Sequence, residues 1–141
     1  KWFPTTARTE PRKGGRFKYT WEHVKTPERD HSREGEYTEV IPNKKVAYSW
    51  RMPEIRTEPT IVEFSIEAVG KLTQTKSVSV AGGNETAVKL VHSGFGTGAE
   101  WDRQVQEHTA GWTFFLNNLK SYLEKGVDER RSKLGLKTKK I

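Results

Sequence analysis

The 141-residue sequence contains no cysteine. This absence excludes disulfide bonds, thiolate metal ligands and a cysteine nucleophile, and it is compatible with a reducing compartment. No apolar run approaches the roughly 18 residues that a membrane-spanning helix needs, and no signal-peptide core is visible. We therefore predict a soluble, cytoplasmic protein, in which the sequon Asn84-Glu85-Thr86 would be inert because glycosylation requires the secretory route.

Aromatic residues, by contrast, are plentiful. The chain holds five Trp, six Phe and four Tyr, alongside 30% charged and 33% hydrophobic residues. Because each aromatic side chain buries a large area on folding, disorder of the whole chain is not expected. The length fits one domain with a core of its own.

Positive charge is concentrated at the two ends of the chain. The formal net charge is +7, with +5 in residues 1–18 and +5 in residues 125–141, so the middle is slightly acidic. Basic ends can contact phosphates without specificity, but such runs are more often solvated. We predict a basic tail over 125–141, no specific nucleic-acid partner, and a fold that survives deletion of residues 127–141.

Period-two alternation predicts a series of antiparallel strands. The clearest run follows Gly14-Gly15, where Phe17, Tyr19, Trp21 and His23 alternate with polar residues. Similar patterns, separated by turn residues such as Pro42-Asn43-Lys44 and Gly82-Gly83-Asn84, recur further along the chain. The predicted strands are 16–24, 34–41, 45–52, 60–68 and 86–93, and residues 69–81 either extend the fourth strand or form an arm.

The pattern changes to a helical period after residue 98. Thr97 and Glu100 have the spacing of a capping box, and Gly126 is a plausible C-cap. Between them, apolar and aromatic residues recur at three- and four-residue steps, which predicts an amphipathic helix over 99–124. These positions are His108, Trp112, Phe115, Leu116, Leu119, Tyr122 and Leu123. Several strands followed by one long helix indicate an α+β fold, with the helix on one face of an antiparallel sheet.

Two motifs resemble sites of chemistry but have simpler explanations. Residues 94–99 match the dinucleotide pattern G-x-G-x-x-A, yet no second parallel strand follows the helix, so we predict a turn and no cofactor. His92, His108, Asp102 and Glu107 lack the spacings of common metal sites, and Ser93 points away from its neighbour His92. We predict no metal and no catalytic residue.

Five stretches together resemble the activator of heat-shock protein 90 ATPase homologue family, within the START and birch-pollen-allergen-like (SRPBCC) superfamily. The similarity covers about residues 1–124. Its stretches are Lys1-Trp2-Phe3; Gly14-Gly15-Arg16-Phe17; Glu39-Val40-Ile41-Pro42 with Val46-Ala47-Tyr48-Ser49-Trp50; His92-Ser93-Gly94-Phe95; and Gly111-Trp112 with Leu116, Leu119-Lys120 and Tyr122-Leu123-Glu124. The resemblance implies a helix-grip fold, in which a curved antiparallel sheet wraps around a long C-terminal helix and encloses a cavity that often holds apolar molecules.

The aromatic residues are the candidate site. Strand and helix faces could direct them toward one another, and Tyr and Trp need partners for their polar tips when buried, which is more typical of a pocket than of a dry core. The alternative is that they only pack the core. The candidate ligand-binding residues are Tyr19, Trp21, Tyr48, Trp50, His92, His108, Trp112 and Phe115. We expect Trp21, Tyr48, Trp50, His92 and Trp112 to line one apolar cavity.

Three functions are compatible with these sequence features. The first is a non-catalytic module that binds an apolar or amphiphilic small molecule. The second, suggested by the family name alone, is an interaction module that regulates a chaperone ATPase. The third is an enzyme acting on an aromatic or polyketide-like substrate.

The resemblance also predicts an open sheet edge. Family members carry a strand and two short helices before the Trp-Phe motif, and that strand pairs with the equivalent of residues 86–93. The only methionine is Met52, so we expect the natural chain to be longer at its N-terminus, by about 25 residues for one strand and two short helices. Residues 86–93 should therefore form an unpaired edge or pair with another copy in a strand-paired homodimer.

Overall fold

The computed structural model describes residues 2–55, 58–69 and 85–138. They form six strands, two helices and a short 3-10 turn at Pro27–Arg29. The strands are β1 (Thr6–Thr9), β2 (Arg16–Trp21), β3 (His31–Ile41), β4 (Lys45–Trp50), β5 (Thr60–Val69) and β6 (Glu85–Ser93). The helices are α1 (Ala99–Lys125) and α2 (Arg130–Leu134).

The six strands form one antiparallel sheet in sequence order, β1 to β6. A register shift between Tyr37 and Glu39 interrupts the pairing of β3 with β4, and such irregularities bend a strand. The sheet is curved and α1 follows it, so the predicted α+β helix-grip fold is confirmed. The predicted turn at residues 82–84, the possible arm at 70–81 and Asn84 of the sequon lie outside the described residues.

The long helix forms as predicted, but its N-terminus is capped differently. The N-cap is Gly98, with φ of 108°, and no side chain caps the helix. Glu100 instead pairs with Arg103 at 2.8 Å, so the capping box is wrong. At the other end, Gly126 adopts the left-handed conformation and its N–H donates to the Tyr122 carbonyl, as expected for a glycine C-cap.

The helix packs on the sheet through a core made largely of aromatic rings. The Phe3 ring lies at its centre, with ring centroids 5.1 Å from Trp21, 5.1 Å from Trp112 and 5.0 Å from Phe115. The buried core residues are Phe3, Phe17, Trp21, Tyr37, Tyr48, Trp50, Val62, Trp112 and Leu136. By contrast, Leu123 of the predicted apolar helix face is 70% exposed, so this face is buried only in part.

The C-terminal segment packs on the body of the domain. Leu136 is 2% exposed, and its neighbours extend the sheet: the Val24 N–H donates to the Gly135 carbonyl, and the Lys137 N–H to the Glu22 carbonyl. The expectation of a solvated tail is therefore wrong for this segment. One leucine and several backbone hydrogen bonds attach it, which a count of apolar residues does not reveal.

A buried polar network fixes the same segment to the N-terminus. The Asn118 amide, fully buried on α1, donates to the Trp2 carbonyl at 2.9 Å and to Asp128 at 3.2 Å. Arg130 pairs with Asp128 at 2.6 Å and donates to the Pro4 carbonyl at 2.6 Å. Buried polar groups are tolerated because such partners satisfy them. The network holds the carbonyls on both sides of Phe3.

Within the described part of the chain, β6 pairs with β5 alone and so lies at the sheet edge, as the sequence predicts. Its Val88 and Val91 side chains are 39% and 42% exposed. The helices described in the structure do not combine the length and apolar content that crossing a bilayer requires.

Candidate functional site

Two chambers lie between the sheet and the helix, and the Phe3 ring lines both of them. The ring contacts Trp112 and Phe115 of the helix, and Tyr19 and Trp50 of the sheet. Phe3 is 7% exposed. We name the two spaces the narrow chamber and the wide chamber.

The narrow chamber has a volume of about 140 Å³ and walls of aromatic rings. It lies between β2, β3, β4 and the middle of α1, and its lining includes polar as well as aromatic side chains. Its lining consists of Phe3, Trp21, His31, Arg33, Trp50, Glu107, His108, Gly111, Trp112 and Phe115.

The wide chamber, of about 440 Å³, opens near the β3–β4 hairpin. Most of its walls are apolar or aromatic. It is lined by Trp2, Phe3, Pro11, Tyr19, Tyr37, Val40, Ile41, Pro42, Asn43, Lys44, Lys45, Val46, Tyr48, Phe64, Ile66, Val88 and Leu119.

Two tyrosine hydroxyls supply polar atoms to the wide chamber. The Tyr19 hydroxyl lies 3.2 Å from that of Tyr37, which in turn lies 2.5 Å from the Thr9 hydroxyl. Burial, reinforced by the hydrogen bond to Tyr37, raises the pKa of Tyr19 far above its ordinary value. Burial also raises the pKa of Tyr48. The Tyr19 and Tyr48 phenols are therefore neutral at physiological pH.

Each of the two candidate histidines accepts a hydrogen bond from a tryptophan. The Trp50 indole N–H donates to His108 Nε2 at 3.1 Å, and His108 Nδ1 donates to the Gln104 carbonyl at 2.7 Å. The Trp112 indole N–H donates to His92 Nδ1 at 3.0 Å. An indole N–H can only donate a hydrogen bond, so the histidine nitrogen that accepts it carries no proton. Each of the two imidazole rings is therefore neutral.

The environment of the histidines favours the same neutral state. Burial, together with the nearby His108, lowers the pKa of His92 to about 3. Burial also lowers the pKa of His108. His92 Nε2 lies 2.7 Å from the Thr60 hydroxyl, so both nitrogens of both rings are engaged. These two histidines accept hydrogen bonds from buried indole N–H groups, and neither presents a ring nitrogen to a substrate or a metal.

The structure distributes the eight candidate residues over three spaces. Trp21, Trp50, His108, Trp112 and Phe115 line the narrow chamber. Tyr19 and Tyr48 line the wide chamber. His92 faces a third recess, of about 330 Å³, on the side of α1 toward β6. Trp50 and Trp112 are both buried, at 6% and 7% exposed, as the cavity prediction required, but the predicted set does not form one cavity.

Sequence reasoning missed three residues that shape the chambers. Phe3 belongs to no periodic segment, although the Trp2-Phe3 pair is part of the family resemblance. Tyr37 lies on the inward-facing side of β3, since it is directly opposite the buried Tyr48 of β4. Arg33 lies just before the predicted strand 34–41, whereas β3 begins two residues earlier at His31.

The glycine-rich stretch after β6 makes a turn, as predicted. Gly94 and Gly98 have φ values of 86° and 108°, which favour glycine. A Cβ on Gly96 would lie 2.5 Å from the Trp101 indole nitrogen, so the missing side chain makes room for that ring. Among the described residues, no group of three or more His, Asp or Glu side chains is arranged to hold a metal ion.

Comparison with known proteins agrees with this architecture. The family model described as Activator of Hsp90 ATPase homolog 1-like protein matches residues 1–124. No curated protein and no solved structure gave a significant match to the chain. The family match spans every strand and nearly all of α1, and it ends just before the segment that carries α2. The chain therefore belongs to the Activator of Hsp90 ATPase homolog 1-like protein family, within the SRPBCC superfamily.

Proposed function

We propose that this domain binds an apolar small molecule, bearing one neutral polar group, in the wide chamber. The observation that carries the proposal is the chamber itself, about 440 Å³ of space between the sheet and α1 that opens to solvent. Pockets for small molecules usually have volumes of about 300–1,000 Å³, with apolar walls and a few polar groups. The wide chamber has this size and this lining.

The polar groups of the chamber favour a neutral partner. Burial raises the pKa of Tyr19, which keeps its hydroxyl uncharged, and the Tyr19 and Tyr37 hydroxyls can each donate to or accept from a hydroxyl or carbonyl group. The Lys45 ammonium is held by Glu39 at 3.0 Å and Glu63 at 3.2 Å, so it has carboxylate partners already, and Lys44, the other lysine of the lining, is exposed to solvent. A long-chain alcohol is a reasonable representative of the ligand class.

The role we propose is binding without catalysis. The two histidines near the chambers use both of their ring nitrogens in hydrogen bonds to the protein. General acid–base catalysis requires a group that can exchange a proton with the substrate, and a depressed pKa keeps His92 in one state at neutral pH. An enzyme acting on an aromatic substrate would need other groups.

The second candidate function is regulation of a chaperone ATPase. The family description names an activator of the Hsp90 ATPase. The β6 edge, with Val88 and Val91 exposed, is a surface on which another protein could add a strand. Stimulation of a purified Hsp90 ATPase by this domain, together with no ligand in the wide chamber, would favour this alternative.

The test is a titration with the neutral fluorescent probe N-phenyl-1-naphthylamine and its displacement by 1-dodecanol. Val46 lines the wide chamber, so Val46→Trp should obstruct part of it and weaken both ligands at least about tenfold, which corresponds to about 1.4 kcal/mol. Val91→Trp is the matched control, because Val91 is an exposed strand valine outside the chamber. Absence of probe binding to the unmodified chain, or equal effects of the two variants, would contradict the proposal.

A further inference from the structure

A charged side chain faces the interior of the sheet at the narrow chamber. Arg33 on β3 pairs directly with Tyr19 on β2, and directly opposed residues of neighbouring strands lie on the same face. The Tyr19 ring contacts Phe3 beneath the helix, at a centroid distance of 5.5 Å. Arg33 is therefore directed toward the helix, and its half-buried side chain lines the narrow chamber.

The guanidinium group of Arg33 has N–H donors that are not used by the hydrogen bond described for it. Its hydrogen bond in the structure goes to the neighbouring Ser32 carbonyl, at 2.8 Å, and it forms no ion pair with any residue the structure describes. Glu54 and Glu107 attract it only from a distance, while burial lowers its pKa from the ordinary value. A half-buried arginine without a carboxylate partner is costly, because desolvation is not offset by pairing. A bound anion would remove that cost.

The walls next to Arg33 fit a single aromatic ring. The chamber volume is about 140 Å³, and a protein cavity of roughly 150 Å³ holds a benzene-sized molecule. Trp50, one wall of the chamber, has its indole N–H bound to His108, and the Trp112 N–H is bound to His92. The indoles therefore present only ring faces and edges to a guest, which favours aromatic stacking.

We propose that the narrow chamber binds a small aromatic carboxylate of about the size of benzoate. Its ring lies among Trp21, Trp50 and Trp112, and its carboxylate accepts paired hydrogen bonds from Arg33, the geometry for which a guanidinium is best suited. Glu107, which also lines the chamber, repels the carboxylate and limits its affinity. The narrow chamber shares only Phe3 with the lining of the wide chamber, so the proposal stands whether or not the wide chamber binds a ligand.

The first test compares three ligands of one size on the unmodified chain: benzoate, benzyl alcohol and benzylamine. We expect benzoate to bind at least about tenfold more tightly than either of the others, because only it pairs with the guanidinium. In ¹H–¹⁵N spectra benzoate should shift the indole signals of Trp21, Trp50 and Trp112, and leave Trp101, which packs against Gly96, unchanged. Failure of benzoate to bind, or tighter binding of benzylamine, would overturn the proposal.

The second test uses charge variants. Arg33→Gln should abolish the preference for benzoate over benzyl alcohol, and Glu107→Gln should strengthen benzoate binding severalfold. Arg16→Gln is the control. Arg16 is exposed on the outer face of the sheet, opposite Glu36 in the strand register, so this variant should change neither the preference for benzoate nor its affinity. An unchanged preference in Arg33→Gln would refute the assigned role of Arg33. If that variant does not fold, the ligand series and the indole shifts still decide the question.

Discussion

At the scale of single residues, two histidines make an aromatic interior possible. Five tryptophans bring five indole N–H groups, and a buried indole N–H needs an acceptor. His92 and His108 accept from Trp112 and Trp50, and the Phe3 carbonyl accepts from Trp21 at 3.1 Å. No buried side-chain nitrogen or oxygen among the described residues lacks a partner.

This arrangement predicts that stability falls in mild acid. Burial lowers the pKa of His92 from 6.5 to about 3, so between these pH values the unfolded chain binds a proton that the folded chain does not. The free energy of unfolding should therefore decrease as the pH falls below about 6.5. Melting temperatures measured from pH 7.5 to pH 5.5 should show this decrease, above the range in which most Asp and Glu side chains titrate.

His92→Gln provides the control for the acid effect. An amide can still accept from Trp112 and donate to Thr60, so the variant should fold, with a lower melting temperature at pH 7.5 but a shallower dependence on pH. His31 and His108, whose pKa values burial also lowers, account for the slope that remains. A melting temperature that stays flat from pH 7.5 to pH 5.5 in the unmodified chain would contradict the neutral state of the histidines.

Phe3 is the lining residue that the two chambers share. Phe3→Ala should join the two chambers and cost about 3–5 kcal/mol of stability, the usual cost of removing a buried aromatic side chain. Phe114→Ala is the control, since Phe114 is half-buried and lines neither chamber. Urea unfolding measures both. Equal losses in the two variants would mean that Phe3 does not hold the core together.

At the scale of elements, the strands with aromatic alternation were predictable and the short polar elements were not. The alternation of Phe17, Tyr19 and Trp21 marks β2 because every second side chain enters the core. β1, with sequence Thr-Ala-Arg-Thr, has all four side chains exposed and therefore lacks any such pattern. α2 is only five residues long and mostly charged, so no helical period could be detected.

The docking of the C-terminal segment was unpredictable for a related reason. Its attachment depends on Asn118 and Arg130, which donate to the Trp2 and Pro4 carbonyls 116 and 126 residues away in the sequence, and hydrophobic patterns do not report such side-chain networks. Of its two leucines, Leu136 is buried and Leu134 is 37% exposed. Nothing in the sequence distinguishes the two.

The two leucines provide a matched pair of variants. Leu136→Ala should cost about 2–5 kcal/mol because the side chain is 2% exposed, whereas Leu134→Ala should change stability by less than about 0.5 kcal/mol.

Deleting residues 127–141 should lower the melting temperature by more than about 5 °C, on the order of 1 kcal/mol or more for this domain size. Thermal unfolding of the three variants tests whether this segment is part of the folded unit; an unchanged melting temperature on deletion would show that it is not.

At the scale of the whole molecule, the architecture followed from the sequence but the shape of the interior did not. Strand and helix periods, with the family resemblance, indicated a sheet around a helix, and faces such as those of Tyr48 and Trp112 were assigned correctly. The two chambers share one lining side chain, Phe3, that enters from an irregular segment. That segment is positioned by carbonyl contacts to Asn118 and Arg130 from the far end of the chain.

The role of the wide chamber as a binding site is tested most directly by locating a bound ligand. Intermolecular nuclear Overhauser effects can be measured between unlabelled 1-dodecanol and the ¹³C-labelled full chain. We expect contacts from the alkyl chain to the Val40 and Val46 methyl groups and to the Phe64 ring, all of which line the wide chamber. Contacts confined to the exposed Val91 or Leu123, or no contacts at millimolar ligand, would contradict this role.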